Sequence, residues 1–249
     1  MRVGLIGAGN MASALARGWG DAVLVHDAYR PRAEALVAEL GGEVVESNAE
    51  LARRADAVLL AHKPAGLERV ASELGGEAKG VISILGGVSL AALRAAYGAT
   101  PVVRMIPSVP VEVRQGVTCH ARDAEADAEL EREAIALFER VGLVVSLDES
   151  QMEAATGLMS CAPAYTALVA EAQVDAGVRA GVPADVAGDL VAASIGGTAA
   201  LLQARGMDTL AVRRAVTSPG GITARGLAAL EHGGLRAAFD DAMQAVLAR

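Results

Sequence analysis

Residues Val3 to Ala12 read VGLIGAGNMA, and the fold of the first half of the chain can be worked out from this stretch. The run Val3–Ile6 is short and apolar, which is typical of a buried β-strand. A G-x-G-x-x-A turn follows, and residues Ala12 to Trp19 are typical of a helix. Strand, glycine turn and helix in this order predict a turn that binds a dinucleotide.

The residue types of this turn suit the approach of a phosphate group. Gly7 permits the tight turn, and Gly9 lets the backbone come close to a pyrophosphate. The helix N-terminus then offers free N–H groups and a partial positive charge to the anion. An ordinary strand–helix turn with two glycines is the plainer alternative.

Composition limits the classes of function that the chain can have. A net charge of −8 argues against a general surface for nucleic acid or for an anionic membrane. The two cysteines, Cys119 and Cys161, do not suggest a disulfide framework, so we expect a cytoplasmic protein. We expect no signal peptide, because a strand begins within the first few residues. The longest charge-free run, residues 154–170, is too short for a normal membrane span.

Strands and helices alternate over the first 148 residues, which predicts an α/β domain with a parallel, Rossmann-type doubly wound sheet. The predicted strands are residues 3–6, 22–26, 43–45, 56–61, 81–85, 101–106, 117–121 and 143–147. No convincing strand follows, so residues 149–249 are expected to form an all-α domain. Helices this apolar, in only about 100 residues, are expected to pack against a second subunit.

Two positions at strand ends suggest how a nucleotide is held. Asp27 ends the second strand, twenty residues after Gly7, where a carboxylate accepts hydrogen bonds from the adenosine ribose and favours NAD. Arg30 and Arg32 follow closely and suit the 2′-phosphate of NADP, so both cofactors stay open. Lys63 follows the fourth strand, at the edge where open α/β sheets bind ligands, although a solvated loop lysine fits equally well.

A second constellation lies near the C-terminus, where residues 215–231 read AVTSPGGITARGLAALE. The Ser-Pro-Gly-Gly turn places backbone N–H groups and the hydroxyls of Ser218 and Thr223 at a helix N-terminus, which suits a small carboxylate. Taken alone, this spacing favours an ordinary capped turn between helices.

The motifs together resemble the Δ1-pyrroline-5-carboxylate reductases over nearly the whole chain. The matching segments are GAGNMA (7–12), SNAE (47–50), HKP (62–64), RMIP (104–107), PAY (163–165) and, most specific of all, VTSPGGIT (216–223). Their order and spacing both agree with that family.

The resemblance implies reduction of the cyclic imine 1-pyrroline-5-carboxylate to L-proline with NADPH or NADH, in a homodimer or a dimer-based ring. It implies cofactor binding by Gly7, Gly9, Asn10, Met11, Asn48, Lys63 and Pro64, besides Asp27 from the spacing above. It further implies substrate binding by Ser218, Gly220, Gly221 and Thr223. Thr223 is the expected catalytic hydroxyl, hydrogen-bonded to the ring nitrogen. No metal is expected, and the scattered histidines are expected to be structural.

Two segments depart from the family pattern. Ser108 stands where the family usually has Asn, and Met159-Ser160-Cys161-Ala162 stands where it usually has a Ser-Gly-Ser-Gly type run. They leave open a related reductase of another imine or of a hydroxy acid, or a non-catalytic nucleotide-binding relative. No lysine follows Lys79, which counts against a hydroxy-acid enzyme because such enzymes usually use a lysine for proton transfer.

Overall fold

The computed structural model describes residues 1–248. They divide into two compact units, of which the first is Met1–Pro163 and the second begins at Ala164. Every strand of the described residues lies in the first unit, and the second unit is helical. The predicted fold class, a Rossmann-type sheet followed by a helical region, is confirmed. The predicted boundary after residue 148 stays a prediction.

One sheet organises the first unit. Its strands are β1 (Val3–Ile6), β2 (Val23–His26), β3 (Gly42–Val44), β4 (Ala57–Leu60), β5 (Val81–Ser83), β6 (Val102–Pro107), β7 (Gly116–Ala121) and β8 (Gly142–Leu147). Their order across the sheet is β3-β2-β1-β4-β5-β6-β7-β8. The chain therefore builds outward from β1 in one direction and then in the other, as in a doubly wound fold.

The expectation of a wholly parallel sheet is wrong at one place. β7 runs antiparallel to β6, with Ile106 opposite Cys119, and β8 then runs parallel to β7. The cause is the short connection between β6 and β7, residues 108–115, which contains the 3₁₀ turn Val109–Val113. A parallel neighbour needs a crossover of a dozen or more residues, so this connection can only turn back.

Helices cover both faces of the sheet. Those of the first unit are α1 (Asn10–Trp19), α2 (Arg30–Leu40), α3 (Asn48–Arg54), α4 (Leu67–Leu74), α5 (Leu90–Tyr97), α6 (Ala128–Glu139) and α7 (Met152–Met159). Consecutive strand residues point to opposite faces, so Leu59 packs in one core cluster with Leu15 and Phe138. Its neighbour Leu60 packs in the other cluster with Leu51. This two-sided burial explains why the strands read as continuous apolar runs.

The second unit contains most of α8 (Ala162–Arg179), together with α9 (Ala184–Ala204), α10 (Thr209–Ala215), α11 (Ile222–His232) and α12 (Leu235–Leu247). Few of its apolar side chains are buried: Leu190 is 58% exposed and Ile222 is 79% exposed. By length and composition alone α9 could cross a membrane, and 6% of its most apolar window is buried. One such helix is weak evidence for a membrane span, because helices that pack against a partner subunit are apolar too.

Candidate active site

The glycine turn between β1 and α1 forms one wall of the candidate site. Gly7 has a φ of 104°, which favours glycine, and its N–H donates to the His26 carbonyl oxygen at 2.8 Å. A Cβ at Gly7 would lie 2.9 Å from the Ala61 carbonyl oxygen, whereas a Cβ at Gly9 would meet no atom within 4 Å. The turn is therefore closely packed at Gly7 and open at Gly9.

This open space belongs to a cavity of about 1010 Å³ at the carboxyl edge of the sheet. Its wall includes Ile6, His26 and Ala61, which end or follow β1, β2 and β4. Open α/β sheets bind ligands at this edge, where the strand order reverses. The reversal lies here between β1 and β4. The cavity therefore occupies the position at which a doubly wound fold holds a nucleotide.

Every residue predicted to hold the cofactor lines this one cavity. These residues are Gly7, Gly9, Asn10, Met11, Asp27, Asn48, Lys63 and Pro64. The volume lies at the upper end of the usual range for small-molecule pockets, about 300–1,000 Å³, which suits an extended ligand. The structure thus brings the eight residues together, while their roles in binding stay predictions.

Asp27 is held in place by two backbone hydrogen bonds. Its Oδ2 accepts the N–H of Ala8 in the glycine turn at 2.7 Å, and its Oδ1 accepts the N–H of Tyr29 at 2.7 Å. A carboxylate has about four acceptor positions, so two remain for a ligand. Asp27 therefore ties the end of β2 to the glycine turn and still offers acceptors to the cavity.

The two arginines that follow Asp27 have different surroundings. Arg30 forms ion pairs with Glu34 at 2.8 Å and with Glu46 at 2.9 Å. Arg32 lines the cavity, and its guanidinium carbon lies 5.6 Å from the centre of the Tyr29 ring. The structure therefore brings Arg32 to the cavity and holds Arg30 against acidic side chains.

Asn48 is the buried polar residue of the cavity wall, with 5% exposure. Its Nδ2 donates to Oε2 of Glu73 at 2.7 Å, and Oε1 of Glu73 accepts Nη1 of Arg69 at 2.5 Å. Burial would raise the pKa of Glu73, but the hydrogen bonds from Arg69 and Asn48 lower it. Glu73 is therefore a charged group that holds the Asn48 amide in one orientation.

His62 also lies in the cavity wall. Its Nδ1 lies 2.8 Å from the Lys63 carbonyl oxygen, and since a carbonyl only accepts, Nδ1 carries the hydrogen and donates. Its Nε2 is buried and has no hydrogen-bond partner within residues 1–248. Burial lowers the pKa of His62. His62 is thus a neutral side chain whose free acceptor nitrogen is buried at the cavity, and the structural role predicted for it leaves that nitrogen unexplained.

The predicted substrate residues meet in the second unit, where α11 begins. Gly220 has a φ of 69°, and the Gly221 N–H donates to the Ser218 carbonyl oxygen at 3.0 Å to close the turn. A Cβ at Gly221 would lie 2.4 Å from the Ser218 Oγ, so a larger residue here would displace this hydroxyl. Gly221 is the N-cap of α11, and Thr223 is the second residue of that helix. The loop can therefore present N–H groups and two hydroxyls to an anion.

The residues that depart from the family pattern lie in different surroundings. Ser108 is 3% exposed, and its Oγ accepts the Val117 N–H at 2.9 Å, so it links the end of β6 to β7. Cys161 is half-buried at the junction of α7 and α8. The hydroxyl of Ser108 therefore has a structural partner.

Two residues at this site, Arg69 and Glu73, were not predicted from the sequence. They stand four residues apart on α4, which begins just after Lys63 and Pro64. An arginine and a glutamate at this spacing are usually a solvated helix pair, so the sequence held no signal that Glu73 binds the side chain of Asn48. Within the described part of the chain, no group of three His, Cys, Asp or Glu residues could hold a metal ion.

Comparisons with known proteins agree with this geometry. A family model described as pyrroline-5-carboxylate reductase dimerisation matches residues 149–249, and one described as NADP oxidoreductase, coenzyme F420-dependent, matches residues 2–87. The chain is 36% identical to the pyrroline-5-carboxylate reductase of Synechocystis sp., with 100% of this chain and 97% of that protein covered. It is 37% identical to that of Methanosarcina acetivorans, with 97% and 94% covered.

Solved structures match over the same extent. The crystal structure of Plasmodium falciparum pyrroline carboxylate reductase with NADP bound has a TM-score of 0.88 and 26% identity, over 99% of this chain and 95% of that one. The pyrroline-5-carboxylate reductase of Coxiella burnetii has a TM-score of 0.88 and 29% identity, over 100% and 96%.

Proposed function

The chain belongs to the pyrroline-5-carboxylate reductase family, and we propose that it reduces 1-pyrroline-5-carboxylate to L-proline with NADH or NADPH. The observation that carries this proposal is the single cavity that collects all eight predicted cofactor residues at the reversal of the strand order. Pyrroline-5-carboxylate and proline differ by one hydride and one proton at a C=N bond, so such a cofactor supplies the chemistry that the conversion needs.

The residues of the cavity fit a nicotinamide dinucleotide. The first turn of α1 contains no acidic side chain, and the space beside Gly9 is open, so a pyrophosphate can approach the helix N-terminus. In this proposal Asp27 and Asn48 bind the adenosine side, and Lys63 and Pro64 border the nicotinamide side, which is supported by their common position in the cavity wall. When bound, the cofactor supplies the hydride.

The work left to the protein is positioning and exclusion of water. An imine near neutral pH can be protonated, and the resulting iminium accepts hydride readily, so no strong catalytic base is required. Ser218, Gly220 and Gly221 hold the substrate carboxylate at the N-terminus of α11. Thr223 orients the ring nitrogen through its hydroxyl and passes a proton to or from it, directly or through water.

The second half of the chain has the role of an assembly domain in this proposal. Residues 1–148 form the dinucleotide-binding domain, and residues 149–249, which match the dimerisation model, bind substrate and pair two subunits in a homodimer or a dimer-based ring. The exposed apolar residues of α9, such as Leu190, then pack against the partner subunit rather than lipid. The net charge of −8 and the two unpaired cysteines support a cytoplasmic protein that binds no nucleic acid.

A direct assay tests the function. Purified protein is mixed with pyrroline-5-carboxylate and NADH or NADPH, and the loss of absorbance of the reduced nicotinamide is followed with proline formation. Imine-dependent oxidation with one proline formed per cofactor oxidised is expected. Binding of both cofactors without turnover of this imine would contradict the proposal.

A further inference from the structure

The adenosine end of the cavity, defined here by Asp27, Arg32, Asn48 and Arg69, carries a pattern of charges and acceptors that separates the two nicotinamide cofactors. NADH has a ribose 2′-hydroxyl, which both donates and accepts hydrogen bonds. NADPH has a 2′-phosphate there instead, which carries a charge of about −1.5 to −2 and offers acceptor oxygens. A wall of acceptors without surplus positive charge suits only the hydroxyl.

Asn48 presents an acceptor because of what binds the other side of its amide. A carboxylate accepts hydrogen bonds but does not donate, so the NH₂ group of Asn48 must face Glu73. The Asn48 Oδ1 is left on the opposite side, buried and without a hydrogen-bond partner within residues 1–248. A ribose hydroxyl that reaches this oxygen from the cavity can donate to it, whereas a phosphate dianion has no hydrogen to donate.

Asp27 adds a second acceptor and a negative charge. Its two hydrogen bonds to the N–H groups of Ala8 and Tyr29 fix the carboxylate at the end of β2, beside the glycine turn. At this position of a dinucleotide-binding unit, a carboxylate accepts the ribose 2′-hydroxyl. A phosphate on the same ribose would meet the carboxylate charge at close range, and like charges repel strongly where water is partly excluded.

The cations at this end do not offset that repulsion. Arg30 is held by Glu34 and Glu46, and Arg69 is held by Glu73. Arg32 lines the cavity with one positive charge, and the charge of Asp27 balances it. The group as a whole therefore has no surplus positive charge for a dianion.

We infer that the adenosine end of this cavity selects NADH over NADPH, with Asp27 and Asn48 as acceptors for the ribose hydroxyls and Glu73 as the positioning residue that orients the Asn48 amide. The inference rests on the proposed function, because it names which of the two cofactors that reaction uses.

The first test measures cofactor binding without substrate, by isothermal titration calorimetry of the intact protein with NADH and with NADPH. The dissociation constant for NADH is expected to be lower by about tenfold or more. Asp27→Asn removes the charge and one of the two oxygens that accept backbone N–H groups, which affects both cofactors alike, so the ratio of the two constants reports the charge and is expected to fall by about tenfold. Equal or tighter binding of NADPH by the parent protein would overturn the inference.

The second test isolates Glu73. Glu73→Ala frees the Asn48 amide, so NADH affinity is expected to fall by about 3- to 10-fold, the effect of one hydrogen bond. Glu73→Gln keeps an oxygen that accepts from Asn48 and is expected to restore binding to within about twofold of the parent. Glu39→Ala is the matched control. It removes the ion pair between Glu39 and Arg17, which is exposed to solvent like the pair of Glu73 and Arg69 but lies outside the cavity wall.

The outcomes separate this inference from the proposed function. Reduction of the imine with both cofactors, together with equal binding of both, overturns the NADH selection and leaves the reductase standing. Binding of NADH without reduction of the imine overturns the reductase and supports the selection. A loss of NADH affinity in Glu73→Gln as large as in Glu73→Ala would overturn the role given to Glu73.

Discussion

Gly9 and Gly7 belong to the same turn, but a methyl group added at Gly9 is expected to weaken cofactor binding, whereas one added at Gly7 is expected to lower the stability of the fold. Gly9 has a φ of −76°, which alanine adopts freely, and a Cβ there would meet no atom within 4 Å. Alanine is the poorer N-cap, but it also reduces the entropy of the unfolded chain, and each effect is worth up to about 1 kcal/mol. We expect the free energy of unfolding of Gly9→Ala to stay within about 0.5 kcal/mol of the parent.

Cofactor binding is the property that Gly9→Ala is expected to lose. The new methyl group enters the space through which the pyrophosphate approaches the backbone of α1. We expect the dissociation constants of both NADH and NADPH to rise by about 10- to 100-fold, which corresponds to about 1.4–2.8 kcal/mol.

Gly7→Ala is the counterpart, because its Cβ meets the protein itself. The residue has a φ of 104°, and the added atom would lie 2.9 Å from the Ala61 carbonyl oxygen. The conformational strain and this close contact together are expected to lower the free energy of unfolding by about 2–3 kcal/mol. For a chain of this length, that loss lowers the melting temperature by about 4–12 °C.

Calorimetric titration and thermal unfolding of the two variants provide the assay. We expect weakened binding with a normal melting temperature for Gly9→Ala, and a lowered melting temperature for Gly7→Ala. A Gly9→Ala protein that binds NADH as tightly as the parent would refute the placement of the pyrophosphate at this turn.

The substrate loop, the buried histidines and the surface of α9 can each be tested by one experiment. Thr223→Ala should lower kcat/KM for the imine by roughly 10- to 1000-fold because it removes a positioned hydroxyl. Steady-state kinetics check this, with Thr209→Ala, at an exposed position on α10, as the control. A kcat/KM of Thr223→Ala equal to that of the control would remove Thr223 from the mechanism. Burial lowers the pKa of His62, and of His120 in β7, below the ordinary value of about 6.5, so the unfolded chain takes up protons first as pH falls. The stability that the two neutral histidines contribute is therefore complete above about pH 6.5 and is lost as the pH falls below that value. Urea unfolding at pH 7.5 and 5.5 should show the lower midpoint at pH 5.5. A higher midpoint at pH 5.5 would contradict the prediction. Leu190→Glu places a charge on the apolar surface of α9 and should weaken subunit association by about 100-fold or more. Light scattering measures the mass of the assembly, and titration checks that NADH still binds. An unchanged mass would exclude this surface from the subunit interface.

The part of the cavity around the glycine turn was predictable because its signals are local in the chain. The glycine turn, the helix that follows it and the acid twenty residues later each depend on backbone geometry within one β-α-β unit. The helix start at Ile222, after the Ser-Pro-Gly-Gly turn, was predictable for the same reason. The assignment of Ser218 and Thr223 to substrate came from the family resemblance, because such residues are ordinary in turns.

The direction of β7 was not predictable from residue pattern. A strand buried on both faces shows the same apolar run whether its neighbour is parallel or antiparallel, so the periodicity carries no sign of direction. The direction could instead be inferred from the predicted strand ends, because residues 106 and 117 leave ten residues between the two strands, fewer than a crossover needs.

The amino-acid sequence alone was enough to predict the doubly wound sheet and the helical second half, because periodicity and turn chemistry act over short stretches of chain. The motifs shared with the reductase family supplied most of the predicted residues that line the cavity. Three features were decided only by the tertiary structure. They are the hydrogen bond between Asn48 and Glu73, the different surroundings of Arg30 and Arg32, and the buried, unpartnered ring nitrogen of His62. Each of these depends on which side chains meet across α3, α4 and the strand ends, and contacts between distant segments are set by packing rather than by local sequence.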